Sequence, residues 1–217
     1  MQKKIIAISG SPRKGKNTEL LLQEALRGAA EAGAETKLIR LYELKFHGCY
    51  SCFACKRLGS PAFGRCVHGD DLQAVLKEIH EEADGLIMGA PIYWGHPSAE
   101  MQAFQERLLF QYYDYSPEGK TLLNRVLPVL CIYTMNATAE QTAAYHMDAG
   151  WNMTAATCKR FFGSYQELRS YDTLQFNDYS KYASSMFDEA HKKDVHEREF
   201  PEDMAKAYEL GRNLLTE

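Results

Sequence analysis

The 217-residue sequence has no apolar run long enough to cross a bilayer, which excludes a helical membrane span. It has no surplus of basic residues: the formal net charge is -4, which excludes the electrostatic footprint of a general nucleic-acid binder. The opening MQKKIIAISG reaches its turn too soon to serve as a secretory signal, so a cytoplasmic protein is expected. There is no internal repeat, low-complexity tract or interdomain linker, so a single domain over 1–217 is expected, with a C-terminal extension from about residue 177. What remains is ordinary for a globular chain, with 45% hydrophobic and 25% charged residues. In a cytoplasmic setting its six cysteines suit metal binding, reactivity or burial better than disulfides.

Short β-branched runs alternate with helical stripes. Lys4–Ser9 reads as a buried strand stopped by Gly-Ser-Pro, and Asn17 as the N-cap of a helix from Thr18 to about Ala32. Thr36–Leu41 is expected to be the second strand, Gly85–Ala90 the third and Arg125–Tyr133 the fourth, with Tyr165–Phe176 a last strand or extended segment. Helices are expected from Asp70 or Asp71 to about Glu82, over Ser98–Leu109, over 137–161 and over Glu202–Leu215. This alternation implies βαβ units and a parallel sheet covered on both faces. The charged stretch Ser180–Glu199 reads either as a solvated helix face or as a surface wrap or partner contact.

The loop after the first strand carries Gly10, Gly15 and Lys16 at P-loop spacing, but Asn17 stands where a magnesium-binding hydroxyl is required. The third strand has its carboxylate, Asp84, at the start and none at the end, so the metal shell of a nucleotide triphosphatase lacks its second acid. Ser9, Ser11, Asn17 and Thr18 supply uncharged donors, and Arg13 and Lys16 add positive charge at the rim. Together with a helix N-terminus, they suit a phosphate monoester held without metal. A triphosphatase loop and a tight turn that binds nothing are the competing readings.

The segments GSPRKGKNTE and APIYWGHPSAEMQAFQER, in this order, resemble the flavodoxin-like NAD(P)H-dependent FMN reductase family over about residues 3 to 136. The resemblance implies a doubly wound α/β fold, a five-stranded parallel sheet in the order 2-1-3-4-5 with helices on both faces. It implies FMN with its phosphate on Ser9, Ser11, Pro12, Arg13, Lys16, Asn17 and Thr18, and its ring bordered by Pro91, Ile92, Tyr93, Trp94 and Gly95. Thr134, Met135 and Asn136 would lie near the pyrimidine or dimethylbenzene side. The second loop also stands on its own, because it follows the strand beside the first at the switch point, where ligands bind in such sheets. Tyr93 and Trp94 offer flat apolar faces, although ordinary core or interface packing would explain them too. His96 is a candidate contact for nicotinamide or substrate, against a purely local hydrogen-bonding role.

Cys49, Cys52 and Cys55 form CxxCxxC, and Cys66 closes a loop that returns a fourth thiol. This resembles the iron–sulfur flavoprotein branch of the same family, which holds a four-iron 4Fe-4S cluster. The ten residues between Cys55 and Cys66 exceed the compact spacing of that branch. A tetrahedral zinc ion, and a metal-free loop of buried or redox-active thiols, remain as alternatives. Cys131 and Cys158 read as core residues.

The resemblance thus implies an oxidoreductase that passes hydride from NADH or NADPH through FMN to a small-molecule electron acceptor such as a quinone, a nitro or azo compound, or free flavin. No acid or base is needed for that transfer, so no catalytic side chain is named. An iron–sulfur electron-transfer module and a non-catalytic flavin-binding protein are the rival readings. No nucleic-acid or membrane partner is expected. A homodimer or homotetramer is implied, with Tyr112, Tyr113 and Tyr115 read either as exposed interface aromatics or as a helix end packed on its own core.

Overall fold

The computed structural model describes residues 2–216. Five parallel strands form its main sheet: β1 (Lys4–Ser9), β2 (Glu35–Arg40), β3 (Gly85–Tyr93), β5 (Val129–Thr134) and β6 (Gln166–Ser170). Their spatial order is β2-β1-β3-β5-β6, and a two-residue β4 (His96–Pro97) folds back on the end of β3. With the β4 stub set aside, this is the expected 2-1-3-4-5 order. The chain reverses direction of winding between β1 and β3, so the crevice at their carboxyl ends is the natural place for a ligand.

Alternation along the buried strands divides their side chains between two layers. Ile6, Ile8, Leu86, Met88, Val129 and Cys131 face α2 (Asp71–Glu82), α3 (Ala99–Tyr112) and α5 (Ala149–Phe162). Ile5, Ala7, Ile87, Leu130, Ile132 and Leu168 face α1 (Asn17–Glu31) and α6 (Glu189–Asn213). The last two helices touch backbone to backbone. A Cβ on Gly28 would stand 2.1 Å from Tyr208 O, and one on Gly211 only 1.9 Å from Ala25 O, so no larger residue fits either position without separating the helices.

Several boundaries differ from the sequence reading. The helix expected over 137–161 is two, α4 (Ala139–Ala144) and α5, because the chain turns between them with His146 at φ +51. Thr138 and Gln141 close a capping box on α4. The strand expected from Arg125 starts only at Val129, and the segment Tyr165–Phe176 pairs only over Gln166–Ser170. The last helix begins at Glu189 rather than Glu202. Asp188 caps it by accepting from the Ala190 and His191 N–H groups, and the helix continues through Pro201. Much of the charged stretch is therefore helix, and within it Lys192, at 3% exposure, is buried.

Candidate functional site

The loop from β1 to α1 is braced at its base. Gly10 N–H donates to Gly89 O (2.8 Å), and Ser98 Oγ donates to Gly10 O (2.6 Å), which ties the loop to β3 and to the start of α3. Ser11 Oγ lies 3.2 Å from both the N and the O of Arg13 and so tightens the turn. No side chain caps α1. Asn17 is its first helical residue rather than its N-cap, and Asn17 Nδ2 instead donates to Leu174 O (3.0 Å). The competition was invisible in the sequence, since Leu174 is 157 residues away.

Two more contacts reach the same distant segment: Arg13 Nη1 donates to Gln175 O (2.9 Å), and Lys16 Nζ to Asn177 Oδ1 (3.3 Å). Both partners are neutral. Among the described residues no carboxylate forms an ion pair with Arg13 or Lys16, whereas neighbouring Lys14 pairs with Glu43 and buried Glu19 with Arg40. The Glu19 carboxyl is accordingly held below its usual range, chiefly by the Arg40 hydrogen bond. Two uncompensated cations beside an uncapped helix start make an anion site.

A cavity of about 80 Å³ runs from this loop across the carboxyl ends of β3 and β5. Ser11, Arg13, Lys16, Asn17, Thr18, Pro91, Ile92, Tyr93, Thr134, Met135 and Asn136 line it, as the sequence reading expected. Four expected residues do not. Ser9 is fully buried, and its Oγ accepts from Ser11 N–H (3.4 Å), so it shapes the loop from below. Pro12 stands outside the lining. Trp94 and Gly95 form the tip of the β3–β4 hairpin, with φ of +53 and +78, the type I′ geometry that joins two-residue hairpins. Glycine adopts this freely, but a tryptophan there is strained, and Trp94 is 96% exposed. His96, paired with Tyr93 across the hairpin, is exposed as well.

Two lining residues were missed, Thr173 and Gln175, from the segment after β6. The only available signal was topological: β6 neighbours β5, so its carboxyl-end loop lies beside Thr134–Asn136. That neighbourhood is tightly stitched. Thr173 donates from N (3.0 Å) and Oγ1 (3.1 Å) to Met135 O, Lys192 Nζ donates to Asn136 O (2.9 Å) and pairs with Asp172, and His191 Nε2 lies 2.7 Å from Asp172 Oδ2. Thr18 and Thr134 share a hydroxyl hydrogen bond of 2.7 Å.

The lining fits the monophosphate flavin. Positive charge is gathered at one end, no carboxylate lines the cavity, and Asn136 Oδ1 and Gln175 Oε1 are buried acceptors with no partner among the described residues. Buried acceptors of this kind call for O–H or N–H donors, which a ribityl chain and a flavin ring carry. A triphosphatase finds none of its acidic metal ligands here.

The cysteine loop is a separate construction beside α3. Cys49, Cys52, Cys55 and Cys66 all line one tight cavity of about 20 Å³, together with Arg107, Phe110 and Gln111. Buried Arg107 is its hub: Nε donates to Cys66 Sγ (3.3 Å), Nη1 to Asp70 Oδ2 (2.5 Å) and His47 O (3.3 Å), and Nη2 to His68 O (3.2 Å). Burial pushes the Cys55 thiol up from its ordinary value. Among the described residues no three His, Cys, Asp or Glu side chains are placed to hold one metal ion. Four thiols are the donor set both of tetrahedral zinc and of a four-iron cluster.

A groove of about 620 Å³ between α3 and α5 borders this loop at Cys49 and Ser51. Of the three tyrosines read as interface or core aromatics, Tyr112 is fully buried with its hydroxyl 3.2 Å from His80 Nδ1, because it falls on the core stripe of α3. Tyr113 is half-buried, and Tyr115 alone is exposed. Cys131 and Cys158 are buried as expected, with burial raising the Cys131 thiol to about 12. Among the described residues no helix is long and apolar enough to cross a membrane.

Comparison with known proteins places these features. The chain is 42% identical over 104 residues to an iron–sulfur flavoprotein of Methanocaldococcus jannaschii, covering 48% of this chain and 51% of that protein. It is 31% identical over 142 residues to an iron–sulfur flavoprotein of Archaeoglobus fulgidus, covering 65% of this chain and 60% of that one. The chain therefore spans little more than half the length of these two relatives. Its fold is similar to that of an NAD(P)H:quinone oxidoreductase from Methanothermobacter marburgensis, with a TM-score of 0.69 at 17% identity over 99% of this chain and 98% of that one. An azoreductase from Bacillus anthracis gives 0.66 at 14% identity over 97% and 99%. The family model for NADPH-dependent FMN reductases matches residues 3–164, which carry both the phosphate loop and the Tyr93 hairpin, and the chain belongs to that family.

Proposed function

We propose that this protein is an FMN-dependent NAD(P)H oxidoreductase that reduces a small-molecule acceptor. The observation that carries the reading is the cavity at the carboxyl ends of β1, β3 and β5, with two unpaired cations at one end and an aromatic hairpin at the other. Ser11, Asn17, Thr18, Arg13 and Lys16 hold the phosphate, Thr134, Met135 and Asn136 line the middle, and Pro91, Ile92 and Tyr93 border the ring. Ser9 braces the loop from below, Pro12 lies outside the lining, and Trp94 with Gly95 form the tip of the hairpin that carries Tyr93. When bound, FMN supplies two-electron chemistry, accepting hydride at N5 and returning electrons to an acceptor. The chain's own part is to grip the tail, orient the ring and leave one face open to nicotinamide. Quinones and azo compounds are the acceptors suggested by the names of the structural neighbours.

The test is a flavin titration of the purified chain, followed by anaerobic mixing with NADH and with NADPH. Yellow protein that bleaches with either nicotinamide is expected, and a triple variant, Ser11→Ala with Asn17→Ala and Thr18→Ala, should lose the flavin. A colourless protein that ignores added FMN would end the proposal. Flavin bound but never reduced would point to a non-catalytic flavin-binding protein.

A second reading is favoured by the four thiols around one cavity. Here Cys49, Cys52, Cys55 and Cys66 hold a 4Fe-4S cluster, and the protein passes single electrons to a partner. Brown colour with acid-labile sulfide after anaerobic purification supports this reading, and a plain flavin spectrum without iron removes it. A cytoplasmic homodimer or homotetramer completes the proposal, supported by exposed Trp94, Tyr145 and Met153 near the hairpin and α5. Gel filtration at the monomer mass would refute the oligomer.

A further inference from the structure

The segment after β6 lies outside the family match, which stops at residue 164, yet it closes one side of the cavity. It is not a loose tail. Phe176 stacks on Tyr182 with centroids 4.0 Å apart and meets Tyr179 edge-on at 5.2 Å, while Tyr179 itself is buried. Both backbone polar groups of Gln175 are held: its N–H donates to Tyr179 Oη (3.1 Å), and its carbonyl accepts from Arg13. A backbone held this firmly presents its side chain at little entropic cost.

The Gln175 side chain lines the cavity, and its Oε1 is buried with no hydrogen-bond partner among the described residues. A phosphate dianion offers acceptors only, so it cannot satisfy that oxygen. Arg13, which anchors the Gln175 carbonyl, belongs to the phosphate end, while the hairpin that borders the ring end stands on β3. Between a phosphate and a flavin ring lies a chain of hydroxyl groups, and a hydroxyl is the donor that an amide oxygen in this position requires.

We propose that Gln175 is a binding residue for the hydroxylated side chain of the flavin, its Oε1 accepting a hydrogen bond from a ribityl hydroxyl. The inference rests on the FMN reading above. It adds a third wall to the site, supplied by sequence beyond the matched region.

The test titrates the full-length chain and two variants with FMN, riboflavin and lumiflavin, following quenching of flavin fluorescence. Riboflavin lacks the phosphate, and lumiflavin lacks the hydroxyls as well. Gln175→Met keeps the length of the side chain and removes the acceptor, and should weaken FMN and riboflavin by about fivefold to tenfold, the cost of one neutral hydrogen bond. Lumiflavin should change by less than about twofold, within the scatter of independent effects. Gln175→Glu keeps acceptors and should hold riboflavin near the parent value while weakening FMN, because a carboxylate then faces the phosphate end. Unchanged FMN binding in Gln175→Met overturns the inference, and so does an equal loss for lumiflavin, which would make Gln175 merely structural. If the parent chain bound none of the three flavins, the FMN reading itself would fall. Parent binding with an indifferent Gln175→Met would sink this inference alone.

Discussion

The phosphate loop and the cysteine loop stand on opposite electrostatic footings. Around residues 10–18 the chain leaves Arg13 and Lys16 facing neutral oxygens, so the charge is unbalanced and an external anion completes it. Around residues 47–70 it does the reverse. Arg107 is matched by Asp70 and saturated by the carbonyls of His47 and His68, so what the loop leaves for a visitor is sulfur. One region advertises a ligand by a deficit of negative charge, and the other only by the gathering of four thiols. Both are well supported: the first is stitched to β3, α3 and the segment after β6, and the second to α3 through Arg107, Glu106, Gln111 and the Lys56 ammonium.

The hardest way to break that contrast is Arg107→Ala. It strands the Asp70 carboxylate and frees the carbonyls and Cys66, and should cost about 3–5 kcal/mol, as removal of one partner of a buried ion pair does. The loss is to be read from urea unfolding, with the flavin dissociation constant of the protein that remains folded unchanged. Equal damage to flavin binding would mean that the two regions are mechanically one. Gly211→Ala should come next. Its methyl group falls on Ala25 O, so the helix-propensity gain of about 1 kcal/mol is outweighed by overpacking and the net loss is about 1–2 kcal/mol by the same assay.

The smallest effect concerns pH. Arg40 holds the Glu19 carboxyl below its unfolded value, so this pair adds stability above the ordinary glutamate range, and that stability drains away as pH falls through the folded value. Glu19→Gln should therefore flatten the acid limb of a stability profile between about pH 5 and 3, by roughly 1 kcal/mol. A limb as steep as the parent's would show that the buried pair is not what acid breaks there.

Much of this arrangement could be read without coordinates. The strand before the phosphate loop, the helix after it and the Pro91–Tyr93 edge all declare themselves through short-range pattern, apolar runs ended by Gly, Ser or Pro. The parts that escaped depend on distant partners. Asn17 looks like a cap until Leu174 O competes for its amide. Gln175 is an unremarkable polar residue until Arg13 and Tyr179 fix its backbone against the cavity. The last helix starts at Glu189, well before the expected Glu202, because Asp188 caps it there. Of the two readings open for Tyr112, Tyr113 and Tyr115, core packing holds for Tyr112, which continues the α3 stripe, while Tyr115 is exposed.

The close packing of α1 on α6 at Gly28 and Gly211 has a mechanical consequence. Both α1 and α6 set out from the ligand crevice, one behind Arg13 and Lys16, the other behind Lys192 and its grip on Asn136, and both meet at their far ends with no side chain between them. A methyl group at either glycine would press the two helices apart, so a substitution far along the chain from the crevice acts on both of the walls that their first turns support.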